Sequence, residues 1–254
     1  MGRIIALANQ KGGCGKTTTA VNLATALTHL KRKVLLIDLD PQGNASIHLG
    51  IKIYDLEVSM YDVLVDPDRE IRNVIINSDI KGLDIAPANI ELSGAEVELV
   101  NVIGRESTLK DSMNEIDKEY DYILIDCPPS LGLLTLNALN TAKEIIIPVQ
   151  TEYFALEGMK GLLKTIDIVT KRLNHNLIIT GILPTMYDAR TNLSEAILKK
   201  IKGHFKNKVY NTKIRKNVRL AEAPSFGIPI EKYAPDSFGA QDYHKLAEEV
   251  ISYE

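Results

Sequence analysis

The sequence predicts an α/β fold: a mostly parallel, twisted β-sheet with helices on both faces. Three observations predict it. Short β-branched runs alternate with longer helical stretches along the 254 residues. The apolar runs lack polar alternation, as strands covered on both faces require. A glycine-rich turn joins the first such run to the first helical stretch, and two later runs end in aspartate, at the edge where parallel sheets bind ligands.

In chain order, the expected strands are Ile4–Ala8, Val34–Asp38, Leu83–Pro87, Tyr122–Asp126, Glu144–Val149 and Ile178–Pro184. The intervening stretches Thr17–Leu30, Leu92–Val100, Thr108–Glu119, Leu156–Leu173 and Leu193–His204 read as helices, with Ala240–Ser252 closing the chain. Two segments, 51–79 and 209–237, are rich in turn residues and read as irregular, the kind of loop that carries function in a compact α/β domain. No internal repeat, low-complexity tract or Pro/Ser-rich linker divides the chain, so residues 1–254 are expected to form a single domain.

Composition narrows the classes of partner. The chain is 45% hydrophobic, enough for a full core, and its net charge of −3 points to neither nucleic acid nor membrane, so any such signal must be local. Cys14 and Cys127 form no CxxC pair and no ligand cluster, which fits a reducing cytosol. No apolar stretch approaches about 18 residues, and Arg3-Ile4-Ile5-Ala6 after Met1-Gly2 lacks the Ser or Thr of a myristoylation signal. A soluble, cytoplasmic protein is expected.

The stretch Asn9-Gln10-Lys11-Gly12-Gly13-Cys14-Gly15-Lys16-Thr17-Thr18 follows a strand and opens a helix, the setting of an ATP-binding phosphate loop, which makes the fold that of a P-loop NTPase. Glycines 12, 13 and 15 let the backbone curl so that N–H groups and the helix N-terminus face a phosphate. Lys16 supplies positive charge at the β/γ bridge, and Thr17 a hydroxyl for Mg²⁺. The ordinary GxxxxGK[ST] pattern has glycine where this chain has Gln10, and Lys11 follows it. So early a lysine points away from its own nucleotide. It is either a solvated surface charge or a group reaching another subunit.

Asp38 and Asp40 follow the second strand, and Pro41 and Gly43 turn the loop beyond them, consistent with a switch near the γ-phosphate. Asp40 could orient the attacking water; the other reading of both aspartates is capping or turn formation. Asp126 closes Tyr122-Ile123-Leu124-Ile125 in a Walker B arrangement, holding Mg²⁺ through water, with 128–134 as a second switch.

Nine lysines and arginines stand between Lys199 and Arg219 without one acidic residue. Such an asymmetry suits a phosphate backbone, whereas an ordinary solvated face mixes both signs. With only Phe205 and Tyr210 interleaved, contact with duplex DNA irrespective of sequence fits better than base stacking. Arg190 sits on a loop just before and extends the patch.

These residues together resemble the ParA/Soj partitioning ATPases, within the deviant-Walker-A group that includes MinD. The resemblance runs nearly end to end, on KGGCGKTTTAVNLA at 11–24, LLIDLDPQGNAS at 35–46, DYILIDCPPSLGLLTLNAL at 121–139, IPVQTEYFALEG at 147–158 and NVRLAEAPSFGIPI at 217–230. It implies a sandwich homodimer around two ATP molecules, in which Lys11 contacts the phosphates of the other subunit. It implies that Lys11, Lys16 and Asp40 serve hydrolysis, that residues 11–18 hold ATP, and that Thr17 and Asp126 serve Mg²⁺. It also implies nonspecific binding of double-stranded DNA on the nucleoid, at Arg190 and Arg219, and release through a ParB/Spo0J-like partner; Lys199, Lys200 and Lys216 of the basic stretch are the further candidates for DNA contact. In the family a Pro-x-Asn pair holds adenine. Here Arg215 stands in place of the proline and Asn217 carries over.

Other classes fit less well. A MinD-like membrane-cycling ATPase needs a basic amphipathic C-terminal helix, but this chain ends Glu248-Glu249-Val250-Ile251-Ser252-Tyr253-Glu254. An iron–sulfur ATPase needs clustered thiolates. A DNA-binding module without ATPase activity does not explain the intact phosphate loop.

Overall fold

A computed structural model describes residues 2–153 and 155–253. Phe154, within the segment 147–158, and Glu254 of the acidic terminus lie outside the described residues. Seven strands, β1 (Arg3–Leu7), β2 (Val34–Asp38), β3 (Ile76–Asn77), β4 (Leu83–Ala86), β5 (Tyr122–Asp126), β6 (Glu144–Gln150) and β7 (Ile178–Thr185), form one sheet. Their order is β3-β4-β2-β5-β1-β6-β7. All neighbours pair in parallel except β3 and β4 at one edge.

Alternation along each strand builds two cores. Ile4, Ala6, Leu35, Ile37, Ile123, Ile125, Ile145 and Ile147 face one side, where they meet the helices Leu133–Thr141, Lys160–Arg172 and Asn192–Phe205. Ile5, Leu7, Val34, Leu36, Tyr122, Leu124 and Ile146 face the other, covered by Lys16–His29 and Phe238–Ile251. Strands buried on both faces need no polar alternation, which is why they read as continuous apolar runs.

Several elements differ from the sequence-based expectation. The stretch expected as one helix over Thr108–Glu119 breaks after Ser112; Asn114 and Glu115 turn left-handed before a 3₁₀ turn at Ile116–Lys118. That reversal lets Leu109, Met113 and Ile116 all reach one core before the chain enters β5. The segment 51–79 contains the helix Met60–Val65, opened by a Ser59/Asp62 capping box, as well as the edge strand β3. The segment 209–237 contains the short helices Val218–Glu222 and Ile230–Tyr233. The helix Leu133–Thr141 escaped notice because both its apolar and its polar residues are buried, Asn137 and Asn140 included, so it shows no amphipathic period.

Residues 209–215 run extended beside β7. Tyr210 donates its N–H to the Ile182 carbonyl and Ile214 to that of Pro184, while the Tyr187 N–H returns to Ile214. Gly181 makes this possible, because a Cβ there would stand 1.8 Å from the Tyr210 ring.

Candidate nucleotide site and basic surface

The phosphate loop leaves β1, an interior strand between β5 and β6, and closes on the N-terminus of the helix Lys16–His29. Gly13 (φ 67°) and Gly15 (φ 91°) adopt left-handed backbone that other residues reach only with strain. Gly12 does not, and a Cβ on it would meet nothing within 4 Å. Nothing inside the chain demands that glycine; a ligand approaching the loop would.

Three side chains that the sequence reading passed over fasten the loop. Asn9 donates to the Pro148 carbonyl at 2.6 Å. Gln150 donates to the Gly13 carbonyl at 2.9 Å, and Thr185 to the Cys14 carbonyl at 2.8 Å. Gln150 and Thr185 are the last residues of β6 and β7. A polar residue ending an apolar strand was their only sequence signal. Cys14 and Cys127 are buried, and burial raises both thiols, so neither is a ready nucleophile.

Asp38 and Asp126 are register partners at the ends of β2 and β5. Asp38 serves local structure: it accepts from the Asp40 N–H at 3.1 Å and from the Ser46 N–H and hydroxyl at 2.9 and 2.8 Å. Burial nevertheless raises its carboxyl to about 6. Asp126 differs, since both carboxylate oxygens are buried without a hydrogen-bond partner. Burial first, then the charge of Asp38, hold it well above the usual carboxylate range, with the Thr17 hydroxyl and the Lys16 ammonium acting the other way. Lys16 is itself only 6% exposed. A partnerless acid beside a buried lysine at the mouth of a loop of backbone N–H groups suits a divalent cation, with its waters, and the phosphates it accompanies. Asp40 lies on the turn beyond, accepting the Gln42 N–H at 3.0 Å.

Next to the loop a cavity of about 360 Å³ is lined by Gly15, Thr18, Met186, Arg215, Asn217 and Val218, among others. Its volume and largely apolar wall are those of a small-molecule pocket. Asn217 accepts the Arg219 N–H and so caps the helix Val218–Glu222. Arg215 is among the residues lining this cavity. Its guanidinium binds Asp242 at 2.6 Å and lies 4.1 Å over the Phe238 ring, tying the segment to the last helix.

Lys11 is neither free nor inside the loop. Its ammonium pairs with Glu152 at 2.7 Å, both side chains being largely exposed.

The basic stretch is divided by the fold. Lys208 lies beside Ile178 and Thr180 at the start of β7, whereas Lys216 lies at its other end, donating its N–H to the Tyr187 carbonyl. Arg190 joins the second group, since Asp188 beside it also feels the Lys216 charge. Lys199 and Lys200 stand exposed on the helix Asn192–Phe205. Acids from just outside the stretch neutralise part of it: Asp188 pairs with Arg190 at 2.8 Å, Glu195 with Lys199 at 3.2 Å and Glu222 with Arg219 at 2.9 Å. Exposed pairs of this kind contribute little stability and open readily to a phosphate.

A parallel sheet, a glycine loop with its lysine and a buried strand-end aspartate define a P-loop nucleotide-binding fold of the deviant type. The AAA domain family model matches residues 2–179. Over 99% of both chains, the protein is 53% identical to the sporulation initiation inhibitor protein Soj of Bacillus subtilis. It is 48% identical to the chromosome partitioning protein ParA of Myxococcus xanthus, over 99% of this chain and 88% of that one. Among solved structures, cobyrinic acid a,c-diamide synthase from Mycobacterium smegmatis, with bound ATP analog and magnesium, superposes with a TM-score of 0.88 at 38% identity, over 100% of this chain and 96% of that one. The septum site-determining protein MinD of Pyrococcus horikoshii, complexed with Mg-ADP, gives 0.80 at 30%, over 98% and 96%. The chain belongs to the ParA/Soj family of partitioning ATPases.

Proposed function

We propose that the protein is an ATP-dependent partitioning ATPase whose ATP-bound homodimer holds DNA irrespective of sequence and whose hydrolysis a ParB-like partner stimulates. The nucleotide chemistry rests on one observation, the partnerless Asp126 carboxylate beside Lys16 at the mouth of the loop. The partitioning role rests on 53% and 48% identity to Soj and ParA over nearly the whole chain, since structures bearing two different functional names share the nucleotide fold.

In this reading the loop N–H groups and Lys16 bind the phosphates, and Thr17 and Asp126 hold Mg²⁺ through its ligand shell. Bound Mg²⁺ would offset charge on the β- and γ-phosphates. Asp40 orients the attacking water. Lys11 leaves Glu152 to reach the partner's nucleotide, so dimerisation depends on ATP. Arg190, Lys199, Lys200, Lys216 and Arg219 present charge to the DNA backbone, which locates the protein on the nucleoid in the cytoplasm.

A MinD-like membrane cycle has weaker support. The apolar face of the helix Phe238–Ile251 is buried against Lys16–His29 rather than free to lie on a membrane surface.

The deciding experiment is ATP turnover with nonspecific DNA, with a ParB-type peptide, and with both. Synergy between the two is expected; turnover indifferent to DNA refutes the partitioning reading. Lys11→Ala is expected to bind nucleotide yet remain monomeric with ATP in size-exclusion runs, and a normal dimer would remove the cross-subunit role. Asp40→Ala is expected to dimerise on DNA without turnover.

A further inference from the structure

At the far end of the helix Lys16–His29, about 20 Å from the phosphate loop at 1.5 Å per residue, three side chains converge that nucleotide chemistry does not use. His29 closes that helix, Glu231 lies on the helix Ile230–Tyr233 and His244 on Phe238–Ile251. One carboxylate oxygen, Glu231 Oε1, stands between the two rings: it contacts His29 Nδ1 on one side and His244 Nε2, at 2.7 Å, on the other. The ring centroids are 5.7 Å apart. Nδ1, Nε2 and a Glu231 oxygen all lie within 4.8 Å of one another.

We propose that His29, Glu231 and His244 bind a divalent d-block cation of the Zn²⁺ type, which clamps the last two helices to the helix that starts at the phosphate loop. Two imidazoles and one carboxylate are a donor set for Zn²⁺, Co²⁺, Ni²⁺ or Cu²⁺ and a poor one for Mg²⁺ or Ca²⁺, which prefer oxygen. Around a tetrahedral ion with bonds of about 2.0–2.1 Å, ligand atoms stand about 3.4 Å apart. A rotamer adjustment of well under a helix turn therefore opens the present cluster into coordinating geometry. Glu231 is mostly buried, with its side chain 17% exposed, while the histidine side chains are 44% and 37% exposed, so water can complete the shell. His29 is the last residue of Lys16–His29, the end of a helix that favours a cation. The neighbouring Lys232 ammonium is turned away, donating to the Asp79 carbonyl at 2.9 Å.

The donor chemistry also separates this site from the one at Asp126, because Mg²⁺ would suit only the latter. The test is titration of Co²⁺ into the full chain in the presence of saturating Mg²⁺, read by the cobalt d–d absorption, with wild type, His29→Gln and His244→Gln in parallel. The expected result is one Co²⁺ per chain with a low-symmetry spectrum, displaced by Zn²⁺, and an affinity at least about tenfold lower in each variant, the loss that even a supporting partner of a metal ligand causes. Zn²⁺ is also expected to raise Tm in wild type and not in Glu231→Gln. A spectrum no different from aqueous Co²⁺ overturns the proposal and leaves a hydrogen-bonded His–Glu–His staple. A bound-cobalt spectrum unchanged in both histidine variants overturns it too, by putting the ion elsewhere.

Discussion

The phosphate-loop edge and the basic surface differ in how their charges are held. At the loop, Lys16, Asp38 and Asp126 are buried, and the phosphate loop itself is fastened by Asn9, Gln150 and Thr185. On the basic surface Arg190, Lys199, Lys200, Lys216 and Arg219 are exposed, and Arg190, Lys199 and Arg219 each lean on an acid a few residues away in the same segment. A buried charge has few alternatives in position or partner, so its replacement is costly; an exposed one exchanges partners with solvent and ligand.

Substitutions can test that contrast. The largest effect is expected for Lys16→Ala, which should lower ATP turnover at least about 100-fold, the scale of losing one preorganised donor to a developing charge; phosphate release measures it, and a loss under tenfold would undo the contrast.

His48, buried near the turn that follows Asp40 with Nε2 lacking a partner, comes next. Burial lowers it to about 4, the Ile228 backbone acting the other way. A histidine depressed in the fold contributes stability in full above its unfolded value near 6.5 and loses it as pH falls toward 4. The loss is on the order of 3 kcal/mol. Denaturant unfolding of wild type and His48→Gln between pH 7.5 and 4 should show this component in wild type alone.

Within the loop, Gly15→Ala should destabilise the nucleotide-free protein by about 1–2 kcal/mol, because φ 91° is left-handed. Gly12→Ala, with ordinary φ and open space, should stay within about 0.5 kcal/mol while losing nucleotide binding. Thermal melts with and without nucleotide separate the two. The smallest effect belongs to the surface: Arg190→Ala should leave stability unchanged and lower the log–log salt slope of DNA binding by about 0.9, one phosphate contact. A large loss of stability there would show that the Asp188 pair is structural.

Much of the nucleotide edge was legible in the sequence, because glycine, lysine and aspartate at fixed offsets from a strand leave few geometries. The six longer strands were legible for the same kind of reason, being apolar throughout. The helix Leu133–Thr141 was not, since a helix buried on every side has no period to read. The capping box at Ser59 was present in the sequence but stood inside a segment that looked irregular. Glu152 was not legible as the partner of Lys11, because that pairing depends on which segments the fold brings together; Asp188, Glu195 and Glu222 stand two to four residues from Arg190, Lys199 and Arg219, within reach of local spacing.

By itself, then, the sequence determined the α/β class, the phosphate loop and the strand-end aspartates, all features set by local stereochemistry and by burial patterns within single elements. Only the tertiary structure decided that Asp126 lies partnerless beside Lys16, that Lys11 rests on Glu152, and that Arg215 serves Asp242 and Phe238. It also divided the basic stretch between two ends of β7 and brought His29 together with Glu231 and His244, about 200 residues away. Each of these is a meeting of residues distant in sequence, and packing of the sheet and its two helical layers sets such meetings, not local spacing.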